Sequence, residues 1–254
     1  MCFIGHGAFG IITKPIWCNY FAIFGIGKTT AYGLMPVLGT VDIILGIILL
    51  LKPVRAIAVW LVAWGLITAL CRPLSGEPFA EFIERAGNFG APLCLLVLAG
   101  GIKLNFGSLF STINPGAQAD EKSQKRVRII LQCMVFLLLT GHGWLNLIQK
   151  PALMNQYSAL GFSNPENVSW LAGVFEIMAA VAILVKPVRP LIMMFLVWKM
   201  GTELLYPRFE LLEWIERGGS YGTLLALWLC LNPAISRNTL SFNTKPADVN
   251  PRLV

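Results

Sequence analysis

Charge is scarce in this chain. Asp, Glu, Lys and Arg make up 13% of its 254 residues, about half the share of an ordinary soluble domain. Histidine is scarcer still, with two in the whole chain, His6 and His142. Two are too few for an ordinary protein zinc site, which takes at least three protein ligands. The six cysteines, Cys2, Cys18, Cys71, Cys94, Cys133 and Cys230, form no CxxC pair, and none recurs at a matching place in the other half of the chain. They read as apolar fillers, which excludes a disulfide scaffold or a Cys metal site. The net charge of +7 is not gathered into a basic stripe, because Lys and Arg sit at the ends of apolar runs. Nucleic acid is therefore not an expected partner, and the charge carries topology information instead.

What fills the chain is apolar. Hydrophobic residues make up 56% of the sequence, and the mean hydropathy is +0.68. Runs such as Gly33 to Leu51 and Val127 to Ile148 approach the roughly 20 helical residues that cross a hydrocarbon core about 30 Å thick. A multi-pass membrane protein in contact with the lipid bilayer is expected. The first apolar stretch runs into a phrase that returns mid-chain, so it reads as a structural helix and not as a cleavable signal.

That phrase is "GHGAFGIITKP", Gly5 to Pro15, which returns as "GHGWLNLIQKP", Gly141 to Pro151. "KPVR" at Lys52 to Arg55 returns at Lys186 to Arg189, with Trp64/Trp198, Thr68/Thr202 and Pro73/Pro207 in the same register. "EFIERAGNFG" at Glu81 to Gly90 returns as "EWIERGGSYG" at Glu213 to Gly222. The chain reads as one unit written twice. The expected fold class is an all-α membrane protein with helices at 1–13, 33–51, 56–71 and 86–102, then 127–148, 168–185, 190–206 and 218–232. The units are expected at 1–102 and 127–232, with a cytoplasmic linker at 103–126 and a polar tail at 233–254. An even number of crossings per unit makes the copies parallel, related by a pseudo-twofold axis along the membrane normal.

The linker, both "KPVR" turns and the tail hold most of the Lys and Arg. That side is expected to be cytoplasmic, with both termini there and the protein in the cell (inner) membrane. The histidines then lie near the outer leaflet, about 12 Å inward from each Lys-Pro. The first helix is an exception, since twelve or so residues span only about 18 Å. It is expected to be a half-span or to begin upstream of Met1.

Charged groups at membrane depth cost roughly 2.5–3.5 kcal/mol each, so each one points to a site. Asp42 and Glu176 occupy matching places in the second helix of each unit. Glu81 and Arg85, like Glu213 and Arg217, are spaced to share a helix face, beside Glu84, Glu216 and Asn88. Gly65 and Ala69 of the first unit become Lys199 and Glu203 in the second, an i,i+4 pair able to neutralise itself. His6 and His142 can pack under their flanking glycines, bind a ligand or relay protons, or together ligate a haem, the least favoured of the three readings.

The Gly-His-Gly helix, the acid in "GVFEIMAAVAILVKPVRP" and the short turn after it resemble the DoxX-like family of membrane proteins. Members of that family usually have a single four-helix unit, so this chain looks like a tandem fusion. The resemblance implies a link to quinone-coupled redox complexes, since relatives include subunits of thiosulfate:quinone oxidoreductase. The expectation is then an oxidoreductase subunit or partner binding a quinone-like ligand in an outer-leaflet pocket lined by His6, His142, Glu84, Glu216 and Asn88, with redox-complex subunits or a second copy as partners. Two other functions stay open. One is a proton-coupled transporter or channel using Asp42, Glu176 and the Lys199/Glu203 pair, and the other is a purely structural scaffold.

Overall fold

A computed structural model describes residues 1–101, 105–114, 119–205 and 211–232. Lys103 of the expected linker, Pro207 and the tail at 233–254 lie outside the described residues. The described residues are helical, with one isolated bridge pairing Val54 with Thr112. In order the helices are α1 (Cys2–Ile12), α2 (Trp17–Ala22), α3 (Lys28–Leu51), α4 (Arg55–Leu74), α5 (Ala80–Glu84), α6 (Ala86–Leu98) and α7 (Phe106–Leu109). There follow α8 (Glu121–Leu147), α9 (Pro151–Ala159), α10 (Pro165–Val185), α11 (Arg189–Leu204), α12 (Leu211–Glu216) and α13 (Gly218–Cys230).

Four of these, α3, α4, α8 and α10, are long and apolar enough to cross a membrane. The other expected crossings are shorter. α1 has 11 residues, α6 and α13 have 13 each, and α11 has 16. The expected 86–102 helix stops at Leu98 because Gly100 and Gly101 take positive φ, a conformation glycine adopts without steric cost and one that ends a helix. α8 begins at Glu121 and not near Val127. The linker residues ahead of Val127 include Glu, Lys, Gln and Arg, good helix formers that need no apolar face to continue a helix.

Both α3 and α10 turn large apolar side chains outward, such as Val37, Val41, Ile44 and Ile48 on α3 and Leu171, Phe175, Met178 and Val185 on α10. This reverses the pattern of a soluble helix and suits contact with lipid. The largest buried cluster gathers Val127, Leu131, Val135, Leu138, Ile183, Ile192, Phe195 and Leu224 from the C-terminal half. In the N-terminal half the corresponding cluster is small, built on Phe9, Trp17, Cys18, Ala31 and Met35.

Each Gly-His-Gly is clasped from two sides. A Cβ on Gly7 would fall 2.3 Å from the Gly39 carbonyl oxygen of α3, and one on Gly143 would fall 2.8 Å from the Gly173 carbonyl of α10. The outer glycine faces the opposite half of the chain. A Cβ on Gly5 would meet the Glu216 backbone nitrogen of α12 at 2.4 Å, and one on Gly141 would meet the Glu84 backbone nitrogen of α5 at 2.5 Å. Small residues allow this backbone approach, which is the usual means of joining helices where lipid offers no hydrophobic drive.

Gly141→Ala is therefore expected to destabilise the protein by about 1–3 kcal/mol through overpacking. Gly33→Ala, on an open face of α3 where a Cβ meets nothing within 4 Å, should be neutral or gain about 0.5–1 kcal/mol. Unfolding midpoints of the two variants in detergent check both values.

Candidate functional site

The site is built around the two histidines. In the N-terminal half His6 Nδ1 lies 2.8 Å from Asp42 Oδ2, and its ring stacks on Trp17 at 4.5 Å between centroids. In the C-terminal half His142 Nδ1 lies 2.5 Å from Glu176 Oε2. One ring nitrogen is fixed by a carboxylate in each case, so the Nδ1 hydrogen is assigned to that bond and Nε2 is left to act. The matched acids within apolar runs are thus the direct partners of the histidines.

The surroundings of the two pairs differ. Beside His6 lies a cavity of about 320 Å³ walled chiefly by Trp17, Phe21, Phe24, Leu34, Met35, Leu38 and Ile67, with Asp42, Trp64, Thr68, Arg72, Arg85, Asn88 and Glu216 as its polar edge. Glu216 comes from the opposite half, so the cavity is completed across the contact between the halves. Beside His142 the protein's own polar groups form a network. Asn146 Nδ2 donates to the His142 carbonyl at 3.1 Å, and Tyr157 Oη donates to Asn146 Oδ1 at 2.6 Å. Lys199 pairs with Glu203 at 2.6 Å, and Arg217 Nη1 reaches Glu203 Oε2 at 2.8 Å. Where the first half has Gly65 and Ala69, the second has two long side chains.

The sequence expectation of one pocket holding both histidines differs from this arrangement. His6, Asp42, Arg85, Asn88 and Glu216 line the cavity, whereas His142, Glu84 and Glu203 form a separate cluster with ligand atoms within 4.8 Å of one another. That spacing is short enough for three residues to share a metal ion. Both acids of the cluster are already engaged by cations, Glu203 by Lys199 and Arg217 and Glu84 by Arg85 at 3.0 Å, so an added dication would meet a site already balanced in charge.

A second ionic layer joins the halves at the Lys-Pro end. Lys14 reaches Glu213 at 2.5 Å, and Lys150 reaches Glu81. Each lysine therefore binds the acid of the other half. Arg85 holds Glu81 at 2.7 Å, as the i,i+4 spacing anticipates, while Arg217 and Glu213 are looser at 3.8 Å. Arg72 adds contacts to Glu77 at 3.0 Å and Glu81 at 3.3 Å, and Tyr20 Oη donates to Glu77. Glu81 is fully buried; three basic side chains around one acid make this a packed network and not a set of surface pairs.

Sequence reasoning missed Trp64 and Trp198 as site residues, although both stood in the repeat. Trp198 Nε1 donates to Glu176 Oε1 at 2.9 Å, and Trp64 lines the cavity. Arg72, Glu77, Tyr20 and Asn146 were also missed, and none of them is matched by an identical residue in the other half. Comparison with family models, curated proteins and solved structures finds no match to this chain.

Removing one member of a buried ion pair leaves the other charge uncompensated. Glu203→Met, which takes away the ion-pair partner of the fully buried Lys199, is expected to cost about 3–5 kcal/mol in stability, and Glu203→Met with Lys199→Met to recover part of that loss. Unfolding of the purified single and double variants checks the order.

Proposed function

We propose that this chain is a DoxX-like tandem membrane protein in which two parallel four-helix units, related by an axis along the membrane normal, make eight crossings. In this reading it is a subunit or partner of a quinone-linked redox system in the cell (inner) membrane, and the His6 cavity holds a quinone-like ligand. Support for the two-unit reading comes from the order of the helices. α1, α2, α3, α4 and the α5–α6 pair are followed in the same sequence by α8, α9, α10, α11 and the α12–α13 pair. The breaks at Arg85 and Arg217 let the short crossings act as bent pairs.

The single observation that carries the function is the cavity: a space of about 320 Å³, apolar over most of its wall, with a His–Asp pair at its edge. Ligand sites take this form, a greasy enclosure with a few placed polar groups. His6 is poised for proton exchange with a ligand oxygen through Nε2 while Asp42 steadies the imidazolium. Electrons for quinone reduction would come from a redox partner. A transport path has less support, since Asp42, Glu176 and Glu203 are each closed into a pair with His, Lys or Arg.

Titration of the protein in lipid nanodiscs with a short-chain alkyl-benzoquinone tests the reading. Saturable binding is expected, weakened at least about tenfold in His6→Ala, the loss of a hydrogen bond and of packing together, and little changed in His142→Ala. Absence of saturable binding, or equal losses in both variants, contradicts it.

A further inference from the structure

The two matched tryptophans differ in what their indole nitrogens meet. In the C-terminal half one carboxylate serves two donors: Glu176 Oε2 takes His142 Nδ1, and Glu176 Oε1 takes Trp198 Nε1. In the N-terminal half the acid is one methylene shorter. Asp42 reaches His6, but Trp64 Nε1 is buried with no hydrogen-bond partner among the described residues. Native proteins rarely leave a buried N–H unpaired, and such an atom calls for an acceptor. Trp64 lines the cavity together with His6 and Asp42.

We propose that Trp64 sets the class of ligand this cavity takes: its indole N–H donates to an acceptor oxygen on the ligand's polar head, in the role that Glu176 Oε1 plays beside Trp198. The inference rests on the reading of the cavity as a ligand site and adds the chemistry of recognition. The acceptor belongs to a neutral head, of the ketone or quinone carbonyl kind. The cavity's cations are already committed, Arg72 to Glu77 and Glu81, and Arg85 to Glu81 and Glu84. An ionised ligand would bring an uncompensated charge into that balance. An alcohol serves Trp64 only through its oxygen lone pairs, whereas a carbonyl presents an acceptor without a competing donor.

The same comparison sets the number of ligands. Lys199 and Glu203 stand where the first half has Gly65 and Ala69, and Trp198 already has its acceptor. The indole of the second half thus needs no ligand oxygen, and one ligand binds per chain.

The test uses full-length protein in nanodiscs labelled with ¹⁵N at tryptophan, its indole signals assigned by replacing each tryptophan in turn. The probes are a short-chain alkyl-benzoquinone and an alkylbenzene with the same tail. Saturating quinone is expected to move the Trp64 indole signal, and the alkylbenzene to leave it in place. Asp42→Glu supplies the missing oxygen from the protein itself and should weaken quinone binding about 3- to 12-fold, the worth of one neutral hydrogen bond. Trp64→Phe should weaken it by a similar factor, and the two together by no more than either alone. Binding of the alkylbenzene should not respond to either substitution. A Trp64 signal unmoved at saturating quinone, or wild-type quinone affinity in both variants, overturns the role of Trp64 while leaving the cavity as a quinone site. Wild-type protein that binds no quinone overturns both readings, and binding of two quinones per chain overturns the single-site claim.

Discussion

Backbone packed directly on backbone at two glycines is the constraint from which the rest of the arrangement follows. Gly5 and Gly141 each sit against the backbone of a short helix from the other half, close enough that any side chain would collide. Lipid tails are as apolar as leucine, so helices in a bilayer gain little from merely hiding apolar surface and depend on close fit and hydrogen bonds. Once these contacts hold, the intervening histidine has little freedom. Its neighbour Gly7 or Gly143 presses on α3 or α10 of its own half, and the ring is delivered to the acid one turn along that helix. The repeated Gly-His-Gly phrase is a joint with two faces, one for each half of the chain.

The charges obey a related rule. An ionised group away from water persists when it is paired and hydrogen-bonded, and a pair left half-made is worse than none. Here the pairs are exchanged between halves, Lys14 to Glu213 and Lys150 to Glu81, so the ionic layer holds the halves together as well as neutralising itself. In the C-terminal half Glu176 is divided between His142 and Trp198, so both donors are met by one acid. In the N-terminal half, where the acid is the shorter Asp42, a cavity lined in part by Ala69 opens beside the histidine, and the Trp64 indole N–H has no partner among the described residues. The recurrence of phrases along the sequence supplies the contrast, since Trp198 has the carboxylate acceptor that Trp64 lacks among the described residues.

Much of this was legible in the chain. An acid inside an apolar run is costly enough that Asp42 and Glu176 stand out, and their recurrence at matching places gave them weight. Glycines flanking a lone histidine read as a close approach. The partner of that approach was not legible, because nothing in a pattern of period 3.6 says which distant helix a face will meet; Lys14 and Glu213 are 199 positions apart. Boundaries set by apolar patterning were drawn too tightly at α8, where charged helix formers extend the helix toward its N-terminus. At α6 the boundary was too generous, because Gly100 and Gly101 end the helix. One pocket for both histidines is a fair expectation from symmetry, but His142 lies apart from the His6 cavity, clustered with Glu84 and Glu203, and the difference at Lys199 and Glu203 is visible in the sequence.

The exchange of contacts between halves is most directly tested by cross-linking within the intact chain. Cysteine pairs at positions 14/213 and 150/81, in a background without the native cysteines and with a protease site inserted after Asn114, are treated with a short bis-maleimide and then cleaved. The account predicts that both pairs hold the two halves together on a denaturing gel. Halves that separate after cleavage for both pairs would contradict it.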